Sequence, residues 1–346
     1  MNISNDQIRV LIIDDSEMVC KIFSQELAKD PAITVVGSAP DPIVAREKIA
    51  RLKPDVLVLD IEMPKMDGLT FLENLMQNYP LPVIIVSSLA KAGSAIAFRA
   101  LEIGAADVMA KPGPSYSVKE MSEQLIEKIK DISQLKQFKG FSFPNLTAAS
   151  VSAPKPLSDS NKIIAIGAST GGIGALTELL LRLPKEVPPI LVVQHMSPYF
   201  LTAFAERLNH LCLPEVREAG NGEKLAPGKI LLAPGNKHMV LKKNSQGFYV
   251  EVKAGPLVLH QRPSIEVLFR SVAMYAGADA IGILLAGTGV DGAQGLSDMK
   301  NAGAFTITQD EASSLIYGLP KEAVRIGAVC VEAPLAQIPQ IIVDHL

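Results

Sequence analysis

The stretch Lys162-Ile-Ile-Ala-Ile-Gly-Ala-Ser-Thr-Gly-Gly-Ile-Gly constrains this chain more than any other. Its apolar run, residues 163–166, has no alternation, as expected of a strand buried on both faces of a parallel sheet. Gly167 ends the run, Gly171, Gly172 and Gly174 follow, and residues 175–183 have helical periodicity. Strand, glycine turn and helix together put Ser169 at a strand end, beside the unpaired N–H groups that open a helix. Those groups carry partial positive charge and can hold an anion or an oxyanion. Two chemistries fit. One is a dinucleotide pyrophosphate site, the other a serine nucleophile with an oxyanion hole at hand. The glycines do not separate them, and Gly167-Ala-Ser169-Thr-Gly171 matches G-x-S-x-G only loosely, since Gly172 follows directly.

The 346 residues suffice for two domains, and 48% hydrophobic against 20% charged residues describes a packed globular protein. A net charge of −3 offers no electrostatic case for nucleic acid or membrane binding. Cys20, Cys212 and Cys330 lie far apart without metal-ligand spacing and read as reduced thiols of a cytoplasmic protein. Residues 1–9 are too polar for a signal peptide, and no apolar run is long enough for membrane insertion.

Apolar runs at residues 10–13, 55–59, 83–86 and 106–110 end in Asp14-Asp15, Asp60, Ser87-Ser88 and Lys111-Pro112. Helical segments at 17–29, 42–52, 68–78 and 94–101 separate them. The alternation predicts a parallel sheet with helices on both faces, and the strand ends share the edge where ligands bind. Asp14, Asp15, Asp60, Ser87 and Lys111 should therefore converge. Three carboxylates in one crevice repel, so a hard cation such as Mg²⁺ suits them. With Lys111 it would neutralise a phosphoryl group on one carboxylate, to which Ser87 could donate a hydrogen bond. For any one aspartate, helix capping is the simpler role, and Asp15 before Ser16 is a candidate.

Residues 8–130 resemble a response-regulator receiver domain, on the Asp14-Asp15 pair, Asp60 in Leu57-Val-Leu-Asp-Ile-Glu-Met-Pro, Ser87 and Lys111-Pro112. The resemblance implies a flavodoxin-like fold and phosphorylation of Asp60 by a histidine kinase. It also implies Mg²⁺ held by Asp15, Asp60 and the Glu62 backbone carbonyl. Receivers often carry an aromatic switch residue three positions before the lysine; here that position is Val108.

Helical residues 118–138 close this first domain, 1–137. Residues 138–160, rich in Ser, Pro, Ala and Thr, read as an exposed connector, short enough to make a regulatory contact between domains plausible. A second domain, 161–346, is again doubly wound α/β with a mostly parallel sheet. Residues 189–193 form a strand ending in Gln194-His195-Met196. A strand at 280–285 runs into Gly287-Thr-Gly-Val-Asp291-Gly, and further strands fall at 229–233, 238–242, 248–252, 305–308 and 329–332. Three strand ends thus present Ser169, His195 and Asp291. A hydroxyl needs a base to take its proton, and an imidazole base needs a carboxylate to fix its tautomer. His195 could instead be a satisfied edge histidine, with His210, His238, His260 and His345 as rivals. Asp291 could be a turn or capping residue. The conjunction carries the reading.

Gly167-Ala-Ser-Thr-Gly-Gly, Gln194-His-Met, Ala233-Pro-Gly-Asn-Lys-His, Arg262-Pro-Ser, Gly287-Thr-Gly-Val-Asp-Gly and Gln309-Asp-Glu-Ala-Ser-Ser-Leu-Ile-Tyr-Gly together resemble the CheB family of chemotaxis protein-glutamate methylesterases. With the receiver, the resemblance covers nearly the whole chain. It implies Ser169 as nucleophile, His195 as general base and Asp291 as its orienting carboxylate. The backbone at Thr170 and Thr288 would serve the oxyanion, and the esterase reaction needs no cofactor. The implied substrate is a glutamate γ-methyl ester on methyl-accepting chemoreceptors, with glutamine deamidation beside it. An unphosphorylated receiver would block the active site. Thr288 stands where the family often has Met, and Gln261 where it often has His. The alternatives are a receiver-controlled nucleotide-binding oxidoreductase and a protein-binding output domain. The first needs an acidic residue at the end of the next strand, where Gln194-His195 stands. The second leaves Ser169, His195 and Asp291 without a common purpose.

Overall fold

A computed structural model describes residues 7–63, 68–87, 91–111, 118–135 and 162–346. Pro64, Ser88, Pro112 and the connector 138–160 lie outside the described residues. The chain divides into two compact units, Met1–Phe143 and Pro144–Leu346.

The first unit alternates strictly: β1 (Ile8–Ile13), α1 (Glu17–Leu27), β2 (Ile33–Ala39), α2 (Pro42–Leu52), β3 (Val56–Asp60), α3 (Gly68–Asn78), β4 (Val83–Ser87), α4 (Lys91–Ile103), β5 (Asp107–Ala110) and α5 (Val118–Ser133). All strand pairs are parallel, in the order β2-β1-β3-β4-β5. This is the flavodoxin-like arrangement, whose chain reversal between β1 and β3 opens a crevice at the carboxyl edge. The apolar runs became β1, β3, β4 and β5 because sheet residues covered by helices on both faces must be apolar throughout; β3, β4 and β5 are buried at every position. The strand β2 was not anticipated. It is an edge strand, only its two ends are buried, and Gly37 and Ser38 interrupt its apolar pattern.

The second unit continues with β6 (Ile163–Ala168), α6 (Gly172–Leu181), β7 (Ile190–Gln194), α7 (Pro198–Leu211), β8 (Glu215–Glu218), β9 (Glu223–Lys224), β10 (Lys229–Leu232), β11 (His238–Asn244) and β12 (Gly247–Lys253). Then come α8 (Ile265–Tyr275), β13 (Ala280–Leu284), α9 (Ala293–Asn301), β14 (Phe305–Gln309), α10 (Leu319–Arg325), β15 (Val331–Ala333) and α11 (Ile338–Asp344). A seven-stranded sheet runs β15-β14-β13-β6-β7-β10-β8, parallel at every pair. The hairpin β11-β12 with β9 forms a separate antiparallel sheet, and Leu241 at its base is tied to α8 by a bond from its N–H to Ser271 Oγ, 2.8 Å. From β6 the chain winds outward through β7 and β10. It then returns to the other side of β6 as β13, so the switch point lies between β6 and β13.

Around Ser169 two boundaries differ from the sequence expectation, and in the first unit α5 ends at Ser133 rather than at residue 138. Gly167 does not end its strand: β6 continues to Ala168, held by pairing of Gly167 with Leu284 and of Ala168 with Gln194. The helix after it opens at Gly172 rather than residue 175, because Gly171 takes a left-handed φ of 77° and turns the chain at once. The glycine at 167 answers a packing demand. A Cβ there would lie 2.3 Å from Ile265 Cγ2, so only glycine lets the N-terminus of α8 press onto the sheet edge.

Candidate functional site

The first unit brings all five anticipated groups to the carboxyl edge of its sheet. Asp14 and Asp60 are buried, Asp15 is exposed, and carboxylate oxygens of the three lie within 4.8 Å of one another. Lys111 Nζ is 2.6 Å from Asp60 Oδ2 and 3.1 Å from Asp14 Oδ2. The Glu62 N–H donates to Asp60 Oδ1 at 3.0 Å, fixing the carboxylate. Burial pushes the Asp60 carboxyl up; the Lys111 and Glu62 bonds oppose this and the Asp14 charge adds to it. Burial alone would lower the Lys111 ammonium, but its bond to Asp60 and the two carboxylate charges hold it above its ordinary value, so it stays a cation. Ser87 Oγ, at the end of β4, is fully buried and has no hydrogen-bond partner among the described residues. Asp15 is not the cap of α1: Ser16 is, accepting from Val19 N–H at 3.4 Å. Val108 is buried within β5.

In the second unit the three anticipated residues meet at the switch point. Ser169 directly follows β6, and its N–H donates to Ala286 O at 3.1 Å. His195 directly follows β7, and its N–H donates to Ala168 O at 3.1 Å. Asp291 lies in the turn between β13 and α9. The His195 ring spans the other two, with Nδ1 3.1 Å from Ser169 Oγ and Nε2 2.8 Å from Asp291 Oδ2. A carboxylate only accepts, so Nε2 carries the proton and Nδ1 is left to accept from the Ser169 hydroxyl. The ring is thus used in the opposite sense to the chymotrypsin triad, where Nε2 faces the serine.

Asp291 does cap a helix, though not the one that follows it. Its Oδ2 accepts from Ile265 N–H at 2.7 Å and its Oδ1 from Glu266 N–H at 3.0 Å, both in the first turn of α8. Burial would raise its carboxyl; the bond and charge of His195, with the Glu266 N–H and Ser264 hydroxyl, outweigh this and hold it below the usual carboxylate range. The capping is reciprocal, because Glu266 Oε2 accepts from Gly295 N–H in the first turn of α9 at 2.8 Å.

Several supporting residues escaped sequence reasoning. Gln194 Nε2 donates to Ser169 O at 3.0 Å and to His195 O at 3.2 Å, tying the turn of Ser169 to that of His195. Gln309 Oε1 accepts from Ala286 N–H at 2.9 Å, steadying the residue that holds the Ser169 amide. Ser264 Oγ donates to Asp291 Oδ1 at 2.8 Å. Their signal was present in the quoted motifs, as polar residues at strand ends and a serine preceding a helix. Gly287 lies against Ser169, where a Cβ would be 2.6 Å from Ser169 Cβ. Its N–H is spent on Ile316 O, and Thr288 follows it half-buried. Thr170 is buried. Among the rivals, His210, His260 and His345 are exposed. His238 is buried with both ring nitrogens engaged, by Pro256 O and Ser264 N–H.

The two units have the folds of a receiver and of a parallel-sheet α/β hydrolase domain. Residues 10–123 match the response regulator receiver domain family, and residues 164–342 match the CheB methylesterase family. This chain belongs to the CheB methylesterase family. Protein-glutamate methylesterase/protein-glutamine glutaminase 2 of Syntrophus aciditrophicus (strain SB) is 56% identical over 324 residues, 93% of this chain and 94% of that one. Protein-glutamate methylesterase/protein-glutamine glutaminase 4 of Anaeromyxobacter dehalogenans (strain 2CP-C) is 48% identical over 97% of this chain and 94% of its own. The crystal structure of the Thermotoga maritima CheB methylesterase catalytic domain covers 54% of this chain and 100% of its own, with 32% identity and a TM-score of 0.53.

Proposed function

We propose that this protein is a phosphorylation-regulated serine hydrolase that cleaves glutamate γ-methyl esters, and deamidates glutamines, on methyl-accepting chemoreceptors. The observation that carries the hydrolase reading is the unbroken chain Ser169–His195–Asp291 at the switch point. Ser169 Oγ attacks the ester or amide carbonyl while its proton passes to His195 Nδ1. Asp291 holds Nε2–H and stabilises the imidazolium. The backbone N–H groups of Thr170, next to the nucleophile, and Thr288, next to Gly287, supply the oxyanion donors. As the tetrahedral centre collapses, the proton leaves His195 for the departing oxygen or nitrogen, releasing methanol or ammonia and an acyl-Ser169. Water then attacks with His195 again taking the proton. The free glutamate departs and Ser169 is restored.

Control resides in the first unit. Asp60 accepts a phosphoryl group from a histidine kinase, Lys111 pairs with it, and the unpartnered Ser87 hydroxyl donates to it. Asp15, Asp60 and the Glu62 carbonyl would hold Mg²⁺, which supplies charge neutralisation during transfer; the clustered carboxylates and the orphaned hydroxyl fit such a centre. The unphosphorylated receiver restrains the hydrolase, and phosphorylation releases it. No described helix is long and apolar enough to cross a membrane, in keeping with a cytoplasmic enzyme acting on the receptors' cytoplasmic helices.

The test follows methanol from methyl-labelled receptor, with and without a small-molecule phosphodonor and Mg²⁺. Release should rise with the phosphodonor, vanish in Ser169→Ala and lose only its stimulation in Asp60→Ala. No release from any receptor while Asp60 still takes phosphate would reject the substrate.

A further inference from the structure

We infer that the Ser264 hydroxyl is a positioning group of the hydrolase: it locks the Asp291 carboxylate in the orientation from which His195 takes the Ser169 proton. This rests on the triad reading above. Ser264 is fully buried and is the N-cap of α8, accepting from Val267 N–H at 3.3 Å. A serine cap needs no more than that. Its hydroxyl has one hydrogen, and Val267 brings its own, so the hydroxyl hydrogen is free to point 2.8 Å away to Asp291 Oδ1.

That bond completes a set. Asp291 Oδ2 receives His195 Nε2–H and Ile265 N–H, and Oδ1 receives Glu266 N–H and the Ser264 hydroxyl. Three of these donors belong to one helix terminus; the fourth is the base. The carboxylate plane is thereby set by α8, and the ring is set by the carboxylate. Ser264 is the one member of the helix-borne group that works through a side chain, so it alone can be removed by substitution. Its own position is fixed from the hairpin side, because its N–H donates to His238 Nδ1 at 3.3 Å while His238 Nε2–H donates to Pro256 O at 2.8 Å. The titratable groups around Asp291 are His195 and Glu266. Neither supplies a second donor to Oδ1 through its side chain.

Glycine caps a helix nearly as well as serine, whereas alanine does not. The pair Ser264→Gly and Ser264→Ala therefore separates capping from positioning. Both would be made in the full chain and assayed on a receptor fragment bearing glutamate γ-methyl esters, with phosphodonor and Mg²⁺, beside Ser169→Ala. Both variants should lose about tenfold in kcat, the worth of roughly one hydrogen bond to a charged group, with KM within about twofold. The acid limb of the kcat/KM profile should move to higher pH, because a carboxylate stripped of a donor holds the imidazolium proton more tightly. A Ser264→Gly enzyme matching the parent in kcat and pH profile, with only Ser264→Ala losing thermal stability, would reduce Ser264 to a cap and overturn the inference. Retained activity in Ser169→Ala would instead refute the triad reading itself, and this inference with it.

Discussion

At the residue scale the decisive group is Asp291. Four donors converge on its carboxylate in a buried site, and only one of them comes from His195. Asp291→Asn would keep the shape but set an amide NH2 against two of these donors and remove the charge that stabilises the imidazolium. In a triad this costs about 10³–10⁴-fold in kcat, measurable as methanol release from methylated receptor. The same residue sets an acid limit to stability. Its carboxyl lies below the ordinary value of 3.8 in the folded protein. A depressed folded pKa means the ionised form contributes stability in full above the unfolded value, and that contribution is lost as pH falls through the folded one. The thermal transition of the second unit should therefore drop steeply below about pH 4, and the drop should be shallower in Asp291→Asn. Equal slopes would show that other carboxylates govern acid unfolding. A further residue-scale consequence concerns Cys212, whose thiol burial pushes up to about 12. It should resist alkylation at neutral pH until the protein is denatured, while exposed Cys330 reacts in the native state.

At the scale of elements, the site is made by two helix N-termini that cap one another. Asp291, just before α9, receives the first amides of α8, and Glu266, in the first turn of α8, receives an amide of α9. Unpaired N–H groups at a helix start must find acceptors. Here Ile265 and Glu266 N–H find Asp291 beside the other helix, and Gly295 N–H finds Glu266 on it, so each helix start helps to seat the other. Their seating depends on glycine at the sheet edge, because Ile265 occupies the space a side chain at 167 would need. Gly167→Ala should destabilise the second unit by about 1–3 kcal/mol through overpacking. Ile265→Ala should cost about 2–5 kcal/mol through the cavity it leaves. Combined, they should cost less than the sum, since each relieves the strain or void of the other. Chemical denaturation of the four proteins gives the coupling, and strict additivity would mean that Gly167 does not limit the approach of α8.

At the scale of the whole molecule, the chain holds two sheets of the same doubly wound kind, each with its polar residues at the carboxyl edge. One edge carries three clustered carboxylates with a lysine, the other the hydrogen-bonded series Ser169, His195 and Asp291. Coupling them requires that the phosphorylated and unphosphorylated receivers differ in affinity for the hydrolase unit. Residues 155–346 alone should therefore outrun the unphosphorylated full chain, and phosphodonor with Mg²⁺ should bring the full chain toward the fragment's rate. Equal rates from fragment and unphosphorylated chain would show that the receiver imposes no restraint.

How much of this could be read in the sequence follows from what each part depends on. Strands buried on both faces must be apolar along their length, so β1, β3, β4, β6, β7 and β13 stood out as runs, and the polar residues ending them marked both sites. Ser169, His195 and Asp291 were legible for that reason, as were Asp14, Asp60, Ser87 and Lys111. Two of the four edge strands of the parallel sheets escaped: β2 and β8 are only partly buried and carry glycine or charge, so no apolar run announces them. The roles of Gln194, Ser264, Gln309 and Glu266 were decided only by the tertiary structure. Each acts by a hydrogen bond to a partner brought close by the packing of α8 and α9 on the sheet or by neighbouring strand ends. The sense of the His195 ring, Nδ1 to serine and Nε2 to aspartate, was settled the same way. Local sequence dictates which residues line a strand end, because burial acts residue by residue. The partners they face are chosen by chain crossovers that only the folded molecule makes.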